Sequence, residues 1–328
     1  MITRLRALLA LLLVGMGSVI AFAQLPSPAL LVLNKDDNTL IVVDPATNKI
    51  VGTAPTGKAP HEVAASSDGH YAYVANYGSD QPGNSLSVID LSTLKETRVD
   101  VTPLSRPHGI EFGDGKVYFT AELSKAIARL DPQALKVDWL LGTGQNLTHM
   151  LVLTKSVNPI FTANIGSNTI SMIEHGSGRD PWIETVIPVG EGPEGCDLSP
   201  NGKEFWAANS GDGSVSVIDV ATKKVVQTID VGTKHSNRLK FTPDGKLALI
   251  SDAGNGDVVV VDTASRKVTK RVNLGKVAEG ILIVPDGSRA YIALSADDKV
   301  AIFDLKTISK TGEIATGHDP DGMAWIGK

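Results

Sequence analysis

The sequence is poor in several features that would point quickly to a function. Cys196 is its one cysteine, so no internal disulfide can frame the chain, and a protein of this size has to rest on its hydrophobic core. Aromatic residues make up 5% of the 328 positions, and basic residues cluster no further than pairs such as Lys223-Lys224. Nucleic-acid binding draws its affinity from grouped lysine and arginine against phosphate, so that partner ranks low. No stretch holds a sustained helical period. The Ser-His-acid pattern of a hydrolase elbow and a glycine-rich phosphate loop at a helix start are both missing.

Long apolar runs are also scarce, with one near the N-terminus. Arg4 and Arg6 precede an apolar stretch from Ala7 to Ile20, and Ala21-Phe22-Ala23 follows before Gln24. That order predicts a secretory signal over residues 1–23, cleaved after Ala23, and a periplasmic or secreted protein formed by residues 24–328 as a single domain. The run from Ala7 to Ala23 has 17 residues and includes Gly15, Gly17 and Ser18, which is short for a bilayer span. No membrane association is expected after cleavage. Removing Arg4 and Arg6 takes the formal charge from −5 to −7, and the remaining 305 residues suffice for a core.

What is present is repetition. A segment of the form Val-Ile-Asp, followed by a turn with Thr and Lys, ends on an acidic residue seven times, at Asp44, Asp90, Asp131, Glu174, Asp219, Asp262 and Asp304, with spacings of 46, 41, 43, 45, 43 and 42 residues. A second marker keeps the same beat: SSDG, FGDG, SPNG, TPDG and VPDG place turn glycines at Gly69, Gly115, Gly202, Gly245 and Gly287. Between the turns run short segments rich in Val, Ile and Tyr, such as YAYVAN, SVSVID and VVVVD. Four short antiparallel strands per repeat describe a β-propeller blade, and seven anchors predict an all-β, seven-bladed propeller. ALLVLN at residues 29–34 reads as a second strand and the segment 317–328 as a first strand. The C-terminal strand is therefore expected to join the N-terminal three, closing the ring and removing a free sheet edge. A monomer is expected.

YVAN at residues 73–76, its relatives FTAN and WAAN, and VIDVATKKVVQTIDVG at residues 217–232 together resemble the YVTN-repeat propellers, and the chain as a whole is similar to the exported YncE-like members. The resemblance implies a seven-bladed exported propeller. Its relatives include lactonase-type enzymes, and DNA binding has been attributed to some YncE-like members. The haem-d nitrite reductases also carry YVTN-like propellers, but that likeness implies eight blades.

If each first strand lines the channel, the residue after the strand's opening proline reaches the channel mouth. In the seven repeats this position holds His61, His108, His149, Glu194, Asn237, Glu279 and Asp321, while two residues later come Val63, Ile110, Leu151, Cys196, Leu239, Ile281 and Met323. The first column can ligate a metal or hold a polar ligand; the second reads as packing, with Cys196 a small buried hydrophobe. Five of the seven histidines fall in the windows around this position, namely His61, His108, His149, His235 and His318. The ends of the second strands supply another polar column, Asn34, Asn76, Glu122, Asn164, Asn209, Asp252 and Ser295, with a structural role expected for its asparagines.

Three imidazoles and a carboxylate from consecutive repeats, His61, His108, His149 and Glu194, suit a divalent transition metal, and Arg238, beside Asn237, suits the carboxylate or phosphate of a substrate. The expected role is binding of a small molecule, metal or protein partner on this face. The alternative is a metal-dependent, lactonase-like hydrolase or lyase built on the same four residues.

Overall fold

The computed structural model describes residues 25–176 and 181–327. The signal segment expected over residues 1–23 lies outside the described residues. Seven four-stranded antiparallel sheets form a ring. Blade 1 takes its inner strand, Pro320–Ile326, from the C-terminus and its other three, Ala29–Asn34, Thr39–Asp44 and Lys49–Pro55, from the start of the described chain. Blades 2 to 7 follow in order, with inner strands Pro60–Ala65, Pro107–Gly113, Thr148–Leu153, Pro193–Leu198, Ser236–Phe241 and Ala278–Ile283. Each inner strand packs against the inner strands of both neighbouring blades, so the seven surround one axis.

The turn chemistry explains how so short a repeat folds. Each Asp anchor closes its hairpin by accepting hydrogen bonds from backbone N–H groups two or three residues on, as at Asp44 from Ala46 (2.9 Å), Asp131 from Gln133 (2.8 Å) and Asp219 from Thr222 (2.7 Å). The turn glycines adopt left-handed φ of 69–72° at Gly69, Gly115, Gly202, Gly245 and Gly287, which suits a residue without a Cβ. Glu174, one methylene longer than the other anchors, pairs with Lys223 of the next blade.

The core lies between blades. Tyr73 and Leu86 of blade 2 join Phe119 and Leu130 of blade 3; Phe161 of blade 4 stacks on Phe205 of blade 5 at 4.4 Å. The column expected to pack does so, with Val63, Ile110, Leu151, Cys196, Leu239 and Ile281 buried and Met323 half-buried against the seam between blades 7 and 1.

Candidate functional site

All seven inner strands carry a β-bulge at the same place, between Pro60 and Glu62, Pro107 and Ile110, Thr148 and Met150, Pro193 and Cys196, Ser236 and Leu239, Ala278 and Ile281, and Pro320 and Met323. A bulge leaves one residue unpaired and re-aims its side chain. That residue is the ring position. In six blades the residue before the strand is left-handed, and in five of those it is not glycine: Ala59, Arg106, Leu147, Val277 and Asp319. Such φ values cost roughly 1–2 kcal/mol each, so the mouth is a strained part of a regular fold.

The ring residues meet as two arcs. In blades 2 to 4 three imidazoles form a contiguous run: His61 and His108 have centroids 5.3 Å apart, and His108 stacks on His149 at 3.6 Å with planes 29° apart. Tyr77 fills the angle between His61 and His108, at 4.3 and 5.2 Å, and Arg106 lies over the Tyr77 ring at 4.6 Å. Behind this arc Glu122 accepts hydrogen bonds from His149 Nδ1 (2.9 Å) and from the Tyr77 hydroxyl (3.1 Å). Burial pushes the Glu122 carboxyl up, but His149, Tyr77 and Arg106 together hold it below the usual carboxylate range. Burial keeps His61 and His108 uncharged: His61 is lowered to about 4, and His108, further crowded by His149 and His61, falls well below its ordinary value. Burial and the Glu122 charge push the Tyr77 phenol up to about 12.

The second arc, from blades 5, 6, 7 and 1, is charged. Asn237 donates to Glu194 at 2.9 Å, and the exposed His235 stands 3.6 Å from the same carboxylate. Arg238 donates to Asn237 Oδ1 at 2.9 Å, contacts Glu62 of blade 2 across the axis, and approaches Asp321 Oδ1 at 3.6 Å. Lys35, from the turn after Asn34, reaches Glu279 at 2.7 Å, Asp319 at 3.3 Å and Asp321 at 3.4 Å. Burial raises Asp321, but Lys35, Arg238 and His61 outweigh it and hold the carboxyl low; burial and Asp321 push Glu279 up to about 7 despite Lys35. Deeper in the channel Lys240 lies 3.8 Å from Asp197, and burial pushes Glu111 up to about 7.

The sequence reading brought these seven ring residues and Arg238 to one place, and the structure brings them to one end of the axis. It does not join His61, His108, His149 and Glu194 into one sphere: Glu194 belongs to Asn237 and His235, and stacked imidazoles do not aim their in-plane lone pairs at a common point. Among the described residues no three His, Cys, Asp or Glu side chains stand ready around one ion. The reading missed Glu62, Lys35 and Tyr77 and gave Glu122 no role of its own within the second polar column. His175 ends the strand Thr169–His175 and meets Trp182 at 4.1 Å.

The sequence matches no family model and no curated protein. The fold is similar to solved structures of low identity. Hydrazine synthase of Kuenenia stuttgartiensis has 21% identity and a TM-score of 0.69, over 80% of this chain and 88% of that one. The periplasmic gluconolactonase PpgL of Pseudomonas aeruginosa has 15% identity and a TM-score of 0.75, over 92% of this chain and 99% of that one. A Lactobacillus plantarum protein has 14% and 0.76, over 92% and 99%. At such identities the likeness concerns the fold.

Proposed function

We propose that the protein is an exported, YncE-like propeller of the YVTN-repeat kind that binds a small polar molecule at the imidazole-bearing mouth of its channel. One observation carries this reading. His108 Nδ1 and Asp321 Oδ1 are buried in the ring without a hydrogen-bond partner, and with Arg106 Nε they make three of the five such atoms among the described residues. A buried polar group left unmet costs about 1–3 kcal/mol, and native structures rarely leave one without a reason. A ligand hydroxyl donating to Asp321 while a neighbouring group engages His108 satisfies both atoms. Because these atoms are buried, a small molecule suits them better than a flat protein surface. His61 is the one imidazole of the ring that is not fully buried. Export rests on the signal reading of residues 1–23, and the Pseudomonas neighbour is itself named periplasmic.

D-gluconate and its 1,5-lactone are suitable first probes, since that neighbour is named a gluconolactonase. Isothermal titration is expected to show saturable binding that His108→Ala and Asp321→Asn each abolish; binding unaffected by both variants places the ligand elsewhere and sinks the reading. One contact favours the metal-dependent, lactonase-like alternative on His61, His108, His149 and Glu194: the Glu122 carboxylate orients His149, as carboxylates do for catalytic and metal-bound imidazoles. Turnover of the lactone above the spontaneous rate, stopped by a chelator, is the result that would prefer this alternative.

A further inference from the structure

The channel mouth carries a sharper proposal, which rests on reading it as a binding site and names the class of its ligand. We propose that Arg106 takes the anionic group of that ligand, a carboxylate or a phosphate, so that the molecule bound is a small hydroxylated acid. The other strong cations of the mouth are already engaged. Arg238, the arginine that the sequence pointed to for an anion, contacts Glu62, lies 3.6 Å from Asp321 and donates to Asn237. Lys35 is held by Glu279, Asp319 and Asp321. Arg98, Arg129, Arg266 and Arg271 likewise pair with carboxylates. Among the described residues Arg106 and Arg289 form no such pair, and Arg289 opens its strand at the end of the ring away from the mouth.

Arg106 is partly exposed, and the Tyr77 ring backs its guanidinium at 4.6 Å. Its polar contacts are long: Nη1 lies 3.4 Å from the Tyr77 oxygen and Nη2 3.5 Å from the Ser79 carbonyl oxygen, while Nε is buried with no partner. N–H···O bonds usually span about 2.7–3.2 Å, so the protein itself makes poor use of the guanidinium's donors. The Tyr77 hydroxyl gives its proton to Glu122 at 3.1 Å, and Glu122 therefore reaches Arg106 only through the phenol. The backbone holds the residue in place: the Arg106 N–H donates to the Gly83 carbonyl oxygen at 2.7 Å, and the Arg106 carbonyl accepts from the Glu122 N–H at 2.9 Å. The same position in the other blades holds neither arginine nor lysine. A planar fork of donors on a fixed backbone matches the paired oxygens of a carboxylate or phosphate. From Arg106 the unmatched groups lead inward. Tyr77 also meets the His61 and His108 rings at 4.3 and 5.2 Å, and Gly322, next to Asp321, packs on the His61 backbone. With its acid group on Arg106, a short molecule has its hydroxyls left to meet His108 Nδ1 and Asp321 Oδ1.

The test is calorimetry of residues 24–328 with D-gluconate, D-glucose 6-phosphate and the neutral polyol D-glucitol. At least one acid is expected to bind about 10-fold tighter than the polyol, and the tighter of the two acids decides between carboxylate and phosphate. Arg106→Ala should weaken that acid's binding by about 10–100-fold, the range for a lost hydrogen bond to a charged group, and move the polyol's by less than about 2-fold. Arg106→Lys, which keeps the charge without the fork, should recover part of the loss. In wild type, raising salt from about 0.05 to 0.5 M should weaken acid binding and leave polyol binding unchanged, a readout that needs no variant to fold. The polyol binding as tightly as both acids, an acid affinity unmoved by Arg106→Ala, or equal losses for acid and polyol in that variant overturns the proposal. Binding that still depends on Asp321 would then leave the broader reading of the mouth standing. Absence of saturable binding for all of these probes would remove both.

Discussion

The two arcs of the channel mouth occupy the same position of the same repeat yet solve opposite electrostatic problems. Blades 2 to 4 place imidazole rings there, and those rings pack on one another and share few hydrogen bonds. Blades 5, 7 and 1 place carboxylates there and blade 6 an asparagine, with Asp321 and Glu279 tied to Arg238 and Lys35. Buried charges hold one another in position because leaving any of them alone is expensive. Buried neutral imidazoles lack that constraint and can exchange partners at small cost. The charged arc is thus the frame of the mouth and the imidazole arc its adaptable part.

Breaking the frame should have the largest effect. Arg238→Ala leaves Glu62 and Asp321 facing each other without their shared cation, and a loss of about 3–5 kcal/mol is expected in urea unfolding. A loss below about 1 kcal/mol would show that Lys35 alone neutralises the arc and would erase the distinction drawn here. Joint replacement of Arg238 and Glu62 by leucine should recover most of the loss, since removing both members of a buried pair avoids the uncompensated charge.

The pH response separates the arcs next. The folded protein holds His61 at about 4, below the unfolded value near 6.5, so as pH falls the unfolded chain takes up its proton first. The stability this ring contributes is complete above pH ~6.5 and is lost between there and pH ~4, by about 3 kcal/mol in all. Glu279, raised to about 7, works the other way, with stability declining as pH rises from ~4.5 toward 7. Wild type therefore mixes two slopes. The difference between wild type and His61→Gln isolates one: thermal melts should show the variant gaining on wild type as pH drops from 7 to 4.5, and a constant difference would refute a neutral His61 in the folded protein.

The same contrast explains what was legible in the sequence. Blade count, ring closure and the outer turns were readable because each repeat has to supply its own aspartate, turn glycine and apolar alternation. The ring position was readable because every inner strand bulges there. Contacts across the axis were not, since Glu62 and Arg238 are 176 residues apart. A signal for them did exist. The position after the ring residue is glycine in blades 3, 5, 7 and 1, where a Cβ on Gly195 would lie 2.5 Å from Arg238 and one on Gly322 2.2 Å from His61. Glu62 and Arg238, opposite charges in a column dominated by glycine, were the exceptions to notice. The proposed quartet failed to assemble because consecutive repeats bring residues near without fixing which way a bulged side chain turns.

Glu122 shows how a column can conceal a function. Its counterparts Asn34, Asn76 and Asp252 accept backbone N–H bonds from the loop entering their own blade, from Gly317 (3.1 Å), Gly57 (3.0 Å) and His235 (2.9 Å). Glu122, a methylene longer, reaches past that loop to Tyr77 and His149. Glu122→Asn, which gives blade 3 the residue most common in the column, should keep the fold while unmatching both groups. A loss of about 1–2 kcal/mol in chemical unfolding is expected, with loss of any mouth ligand. An unchanged ligand affinity would show that Glu122 has a structural role alone.

The smallest effect is expected at Cys196, which shares an inner strand with Glu194 but faces the other way, into the seam between blades 4 and 5. Burial pushes its thiol up to about 12, so at neutral pH it is a thiol packed among Met150, Phe205 and Ala207 rather than a nucleophile. Iodoacetamide should leave the native protein unlabelled and modify it once urea unfolds it. Cys196→Ala should cost about 1 kcal/mol through the small void it opens and leave ligand binding at the mouth intact. Rapid labelling of the folded protein, or loss of binding in the alanine variant, would mean that the packing column communicates with the ring. The two faces of one strand could then no longer be assigned separately to structure and to binding.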